Sequence, residues 1–525
     1  MTFRSILFAN PEDEAASRTA REPDCFPDLG LDHLVSTLTA GREEYGLEPL
    51  FWYHLADEDA VAYRHEVFRD LFEHADMRQA LCSFATLMRE TRSRLRTSSQ
   101  LQHPYQRCAV LREAADIYQS ALVELDGAFQ ESTPASRALQ LLKGWLSAYA
   151  SSPEFAAFTK DLVHTASLFN SIRYTLTIGS GRVSVAPCHD EKDLGTAVIA
   201  DFARFSQGTP TTRLARPHEF HTANTVEAAV LDRVALLFPA PFAELTAFAS
   251  RHRDFFDATV TTIDREAQFY LACLDLTDRF RDAGLPTCLP EVSAHSQRVL
   301  ARETYDFALA DKLITTERPI VVNDFHLSGP ERILVVTGPN QGGKTTLART
   351  FGQLHHFAAL GAPVAGRKAH LFLGDVILTH FERGEQPDDT GGQLRDDLLR
   401  VHQLLEQATS SSVVILNELF TSTTSQDAVL LGRRVLSDLT RRGVLGVCVT
   451  FVSELASLNE ATVSMVSTVD PRDPARRTYH LERRPADDLS YAVALARVHG
   501  LTFQQLNRRL GNKGDRDANM PEEMR

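Results

Sequence analysis

Paired cysteines are the first thing missing from this 525-residue chain. The seven it has, at 25, 82, 108, 188, 273, 288 and 448, are odd in number, scattered, and form no C-x-x-C pair. That pattern excludes a disulfide-stapled secreted scaffold and leaves reduced thiols in a cytoplasmic protein as the expectation. A long apolar run is missing too. Met1 to Asn10 holds one arginine and a short apolar stretch that soon meets Glu12, Asp13 and Glu14, so neither a signal peptide nor a membrane span is expected. No internal repeat recurs at a fixed period. Positive charge is also in deficit: 55 Lys+Arg against 69 Asp+Glu give a net charge of −14. This excludes a chain that coats nucleic acid indiscriminately, so any DNA contact must come from a local patch. Arg89, Arg92, Arg94 and Arg96 are one candidate, against the plainer reading of a solvated helix face.

The length exceeds what one core holds, so roughly two to four domains are expected, and a hydrophobic content of 43% is ample for packed cores. Residues 11–30 are polar, with prolines at 11, 23 and 27, and 1–30 reads as an extended entry. Residues 31–300 read as mainly helical. Tyr63 to Phe72 carries apolar residues at i, i+4, i+5 and i+8, and similar spacing recurs at Leu81 to Leu95 and Leu139 to Tyr149. A β-hairpin interrupts them near 173–187, where two alternating runs flank Gly179-Ser180-Gly181, and a second helical stretch runs from about Thr225 to Asp282. Thr287 to Ala301 and Phe307 to Arg318 read as a junction. Strand and helix patterns then alternate over 301–510, which indicates a mostly parallel α/β sheet. Residues 511–525 read as a flexible charged tail.

Within 301–510, Val335 to Thr346 reads V-V-T-G-P-N-Q-G-G-K-T-T, two apolar residues running into G-x-x-x-x-G-K-T. A triphosphate needs a concave array of backbone N–H groups at a helix N-terminus, and glycine permits it by tolerating unusual backbone angles and close approach. Gly338, Gly342 and Gly343 supply that freedom around Pro339, Asn340 and Gln341. Lys344 is placed to reach the β- and γ-phosphates, and the Thr345 hydroxyl to coordinate Mg²⁺, with Thr346 completing the phosphate-binding set. A strand pattern at Ile333 to Val336 and a helical one at Leu347 to Leu360 distinguish this from a chance glycine-rich turn.

Ser412-Val413-Val414-Ile415-Leu416-Asn417-Glu418 resembles the second half of such a site: an apolar strand, buried on both faces, ending in polar oxygen donors where α/β ligands bind. Glu418 is the candidate for polarising the attacking water; the plainer reading is a glutamate that closes the strand. Asn417 stands where an aspartate would assist the metal, and without a formal charge it holds Mg²⁺ less firmly. Slow or gated hydrolysis is therefore expected. The hydroxyl-rich turn Ser422, Thr423, Thr424, Ser425 suits either a phosphate or helix capping by Ser425 or Asp427.

These residues carry a resemblance to the ATPase domain of the MutS family of DNA mismatch-repair proteins, which are ABC-type ATPases. Pro319 to Asp324 is similar to the family's stretch before the loop, whose asparagine, here Asn323, lies near the nucleotide base. Thr337 to Thr346 is close to TGPNMGGKST, Gly361 to Ala365 resembles G-x-x-V-P-A, and Ala408-Thr409 sits where a helix ends before the acidic strand. Asn417 to Ser425 matches DEIGRGTST in register, and Ser490 to Ala494 resembles SYGLxVA. The match runs from Pro319 to Ala494. Departures fall on the chemistry: Asn417 replaces the metal aspartate, Phe451 the histidine of a T-H motif, Gly392 a serine offered in trans to the γ-phosphate, and Ile320 the aromatic residue that stacks on adenine. Helices such as Tyr63 to Leu71 are similar to the family's core or lever region. The mismatch-reading domain has no counterpart: Phe242-Ala243-Glu244 and Phe51-Trp52-Tyr53-His54 both read as core.

The resemblance implies a MutS-like DNA-binding ATPase using ATP and Mg²⁺, a dimer whose closure on nucleotide clamps double-stranded, mismatched or branched DNA in repair or recombination, with a repair-protein partner and no membrane. On that reading Asn323 and Gly338 to Thr346 bind ATP, Thr345 and Asn417 hold the metal, Glu418 and Lys344 are catalytic, and Ser422 to Ser425 approach a partner subunit's nucleotide. A second expectation is an ATP-binding, weakly hydrolysing protein that recruits a protein partner. A third is a small-molecule kinase, for which residues 365–410 supply no clear lid.

Overall fold

The computed structural model describes residues 3–179, 181–188, 225–382, 393–470, 472–473, 476–486 and 500–509. Gly392 and Ser490 to Ala494 lie outside the described residues, and so does the tail from 510 to 525. Contacts divide the chain into one unit of residues 1–6 and 69–267 and a second of residues 7–68 and 268–525. This division differs from boundaries at 30 and 300: residues 7–68 pack with the phosphate-loop unit.

The first unit is built on helices. Ala75–Gln100 and Pro104–Glu131 are joined by three residues and fold back on each other. Met77, Leu81, Phe84 and Met88 line the buried stripe of the first, and Ala114, Tyr118, Leu122, Leu125 and Phe129 that of the second, the three-to-four spacing of a half-buried helix. Arg137–Ala150, Pro153–Asn170, Thr225–Leu237 and Pro239–Arg251 follow, around a hairpin of β1 (Tyr174–Gly179) and β2 (Arg182–Pro187) in which Gly179 pairs with Arg182. Two arginines of the cluster are engaged by acidic side chains. Arg92 pairs with the buried Asp264, and Arg94 lies 3.4 Å from Glu90 and 3.7 Å from Glu113. Phe242 is buried against Tyr105 and Phe169, at ring separations of 4.9 and 5.2 Å, so it is core and not a wedge.

In the second unit the expected junction is itself structured: β3 (Thr287–Cys288), β4 (Glu291–Ser293), β5 (Val299–Thr304), a helix Phe307–Ile314, and β6 (Asn323–Leu327). Then come β7 (Ile333–Thr337), the helix Lys344–Ala359, β8 (Val364–Ala365), β9 (Lys368–Phe372), β10 (Ile377–Phe381), the helix Gln393–Gln407, β11 (Val413–Asn417), the helix Ser425–Arg441, β12 (Leu445–Val449), β13 (Thr462–Val469) and β14 (Arg477–Arg483). The main sheet has the order β10-β11-β12-β7-β13-β14, parallel except for β14, and a mixed sheet β4-β9-β5-β6 stands beside it in sequence. Strands β7, β11 and β12 are buried at every position, as expected for parallel strands covered on both faces. Ile333, Val335, Val414, Leu416 and Cys448 pack with Val435, Leu436 and Leu439 of Ser425–Arg441 and Val401 and Leu404 of Gln393–Gln407.

Residues 1–30 are not extended. Pro11 opens the helix Pro11–Ser17, and Pro27 lies in the first turn of Phe26–Leu29, where a proline's missing N–H costs no helical bond. Phe26 and Leu29 are fully buried. The Asp28 carbonyl accepts from Arg349 Nε at 3.0 Å, the Leu29 carbonyl from Gln353 Nε2 at 2.8 Å, and the Asp28 carboxylate from the Thr379 hydroxyl at 2.6 Å. The segment is thereby docked on the helix that follows the phosphate loop. Phe51 is buried 5.0 Å from the Phe269 ring and serves as core.

That helix also buries His355 and His356. The His356 ring nitrogen lies 2.6 Å from a ring nitrogen of His54, and Phe26 meets its face edge-on. Burial pushes His54 and His355 down to about 4 and His356 well below the usual histidine value, with the His54 neighbour adding to the last. Folded histidines held below their unfolded pKa of about 6.5 bind fewer protons than the unfolded chain, so their stabilising effect is complete above about 6.5 and is lost as pH falls towards about 4. At about 1.4 kcal/mol per unit per group, a urea midpoint measured at pH 5 should lie well below that at pH 7.5, and His54→Gln should flatten the dependence. An unchanged midpoint would contradict the buried neutral pair.

Candidate nucleotide site

Strand β7 runs into the loop 338–343 and the helix Lys344–Ala359 begins at once, so backbone N–H groups of the loop and first turn converge at a helix N-terminus. Gly338 and Gly343 have φ of 119° and 90°, and Gln341 adopts φ 60°, conformations that an L side chain resists except in tight turns. Space is equally restrictive. A Cβ on Gly342 would lie 2.3 Å from the Ser467 hydroxyl, and one on Gly338 2.9 Å from the Ser467 carbonyl oxygen. Ser467, on β13, donates to the Gly342 carbonyl at 2.6 Å and braces the loop from the neighbouring strand.

Lys344 is buried, 4% exposed, and its Nζ donates to the Gly338 and Pro339 carbonyl oxygens at 3.0 and 3.1 Å. Burial lowers its pKa, against the attraction of Glu418 and with a smaller push from Arg477. Arg477 itself donates to the Asn340 carbonyl at 3.1 Å and adds a second cation beside the loop.

Strand β11, parallel to β7 and separated from it by β12, brings the acidic strand end to the same place. The Thr345 hydroxyl donates to Asn417 Oδ1 at 3.0 Å, although the two are 72 residues apart. Asn417 pairs with Val449 of β12, and the Glu418 N–H donates to the Val449 carbonyl at 3.0 Å. Glu418 and Phe420 both hold positive φ, 60° and 58°, so strained backbone is concentrated where the strand turns into the site. Partial burial raises the Glu418 pKa, Lys344 opposes this, and Glu382 adds to it. The adjoining hydroxyl of Thr345 and amide oxygen of Asn417 are hard oxygen donors, and among the described residues no cluster of three or more His, Cys, Asp or Glu side chains offers a closed metal cage. Such a set suits Mg²⁺, which takes one or two protein oxygens and completes its shell with phosphates and water.

Asn323 lies at the rim of a cavity of about 320 Å³ that borders Gly343, Thr346 and Leu347 and is also lined by Arg318, Ile320, Val321 and Tyr479. Its amide is occupied: Nδ2 donates to the Tyr479 carbonyl at 3.1 Å and Oδ1 accepts from the Leu481 N–H at 2.8 Å. Asn323 thus braces β14 and holds Tyr479, whose φ is 61°, at the cavity edge. Two aromatic residues border this cavity with Ile320, Tyr305 and Tyr479, at positions with no motif to mark them.

Ser422 to Ser425 sit at the start of Ser425–Arg441. The cap is Thr424, not Ser425 or Asp427: its Oγ1 accepts from the Asp427 N–H at 3.3 Å and donates to the Asp427 carboxylate at 2.9 Å. Thr423 also reaches Asp427 at 3.4 Å, and Thr421 bonds Glu382 at 2.6 Å. None of these hydrogen bonds reaches the phosphate loop within the chain. Sequence reasoning missed Ser467, Arg477 and Tyr479, because each approaches the loop from β13 or β14 by strand pairing, which leaves no spacing signal.

Residues 334–508 match MutS domain V. The chain is 30% identical over 249 residues to the Endonuclease MutS2 of Thermus thermophilus, covering 45% of this chain and 33% of that protein. It is 25% identical over 225 residues to the DNA mismatch repair protein MutS of Chlorobium phaeovibrioides, covering 42% and 26%, and 28% identical over 193 residues to that of Thermotoga maritima, covering 36% and 24%. The matched region spans a third or less of the length of each of these relatives. Among the described residues no helix is long and apolar enough to cross a membrane.

Proposed function

We propose, because this chain belongs to the MutS family through its domain V, that it is a DNA-binding ATPase of the mismatch-repair type. The observation that carries the reading is the meeting of Thr345 and Lys344, which follow β7, with Asn417 and Glu418 at the end of β11, two parallel strands separated only by β12. In this scheme residues 301–510 form the ATPase domain and 31–300 the core or lever-like region. Gly338 to Thr346 hold the phosphates, Lys344 neutralises charge on the β- and γ-phosphates, and Glu418 orients and polarises the attacking water. Thr345 and Asn417 would hold Mg²⁺, which when bound neutralises the charge that develops on the phosphate oxygens. Asn323 acts on the base side through Tyr479. Ser422 to Ser425, turned to their own helix start, are available to the nucleotide of a second subunit. ATP then serves as a switch that closes a dimer on DNA, and the DNA is recognised by structure, without a mismatch wedge.

Asn417 in place of an aspartate and Phe451 in place of a histidine favour a second reading, an ATP-gated protein that hydrolyses little and recruits a protein partner. Steady-state ATP hydrolysis by the purified chain, titrated with homoduplex, mismatched and branched DNA at several salt concentrations, separates the two. The leading reading expects turnover that rises with one DNA form and DNA affinity that falls steeply with salt as phosphate contacts release counterions. ATP binding without DNA binding at any salt would leave the second.

A further inference from the structure

Phe451 follows directly on β12 and Thr450, with its ring about half exposed, at 52%, and Lys344 Nζ 4.4 Å from the ring centroid. The turn that presents it is anchored to the loop's own strand: the Thr450 N–H donates to the Val336 carbonyl at 3.0 Å, and the Thr450 hydroxyl accepts from the Val452 N–H at 3.0 Å. An ammonium has three N–H donors. Two of those of Lys344 are directed to the Gly338 and Pro339 carbonyls, and the negative face of the Phe451 ring receives the cation from a further side, a cation–π contact strengthened by the burial of the lysine.

We infer that Phe451 is a positioning residue for Lys344, an aromatic latch that holds the ammonium against the loop carbonyls, so that a β- or γ-phosphate must compete with the ring for it. The inference rests on the nucleotide-binding reading above. Phosphate oxygens carry formal charge and make stronger, charge-assisted hydrogen bonds, so a triphosphate wins the competition, at a cost in affinity equal to the contact it breaks. The ring thereby sets the nucleotide concentration at which the site fills. A leucine at 451 keeps apolar bulk without the ring quadrupole, and a tryptophan presents a stronger one.

The test is the Kd for Mg-ATP, by calorimetry, of the wild-type chain, Phe451→Leu, Phe451→Trp and Lys344→Ala. The latch predicts that Kd falls roughly three- to tenfold in Phe451→Leu and rises in Phe451→Trp. Damage to packing would weaken both variants, so opposite signs are the signature. Equal Kd values in the three Phe451 forms, or weakening in both variants, overturns the latch while leaving the nucleotide site standing, provided Lys344→Ala abolishes binding. Failure of every form to bind ATP overturns the nucleotide site and the latch together.

Discussion

Replacing Glu418 by glutamine is expected to slow ATP turnover by roughly 10²–10⁴-fold while leaving ATP affinity close to that of the parent. Glutamine keeps the size and can still hydrogen-bond a water, but it cannot accept a proton or favour developing positive charge on that water. Its amide also removes an attractive partner from Lys344, which is a small term beside the loss of the base. Glu418 belongs to the site by geometry: its N–H is held by the Val449 carbonyl, its φ of 60° turns the chain at the strand end, and its neighbour Asn417 touches Thr345. The pH dependence provides a second readout. Burial raises the Glu418 pKa, and the ionised form is the one that polarises water, so turnover should fall on acidification at a pH above the ordinary carboxylate range. The acid limb should vanish in the residual rate of Glu418→Gln. A variant that hydrolyses ATP like the parent would remove Glu418 from the chemistry.

Gly446→Ala should cost roughly 3 kcal/mol, at the upper end for overpacking, and lower the melting temperature by roughly 5–10 °C. Gly446 lies on β12 between β11 and β7, paired with Val414 and Ile333. A Cβ there would meet the Val414 carbonyl oxygen at 2.2 Å. Backbone cannot rotate away as a side chain can, so the two strands must part. Those strands carry Asn417 and the Glu418 anchor, and nucleotide affinity should fall with stability. Gly144→Ala is the control: it lies within the helix Arg137–Ala150 with nothing within 4 Å of the added Cβ, and alanine favours helix over glycine by about 1 kcal/mol. A scan in which both substitutions behave alike would mean that sheet spacing at Gly446 does not limit the fold.

The phosphate loop, the strand ending in Asn417-Glu418 and the alternation around them could be read from residue order, because each is a local pattern: glycines at loop positions, apolar residues in unbroken runs, a helix period after Lys344. The hairpin of 174–187 was legible for the same reason. By itself the sequence determined a P-loop unit with its water-polarising candidate, a largely helical partner region, and a MutS resemblance whose departures lie at Asn417, Phe451, Gly392 and Ile320. Tertiary structure decided what no local pattern encodes. It docked Asp28 and Leu29 on the helix behind the loop, bonded the Asn323 amide to β14, brought Ser467, Arg477 and Tyr479 to the site, and set the Phe451 ring against Lys344. The physical reason is that strand order β10-β11-β12-β7-β13-β14 is set by pairing between segments far apart in the chain. A side chain delivered to the site by such pairing has neighbours in space that its neighbours in sequence do not reveal.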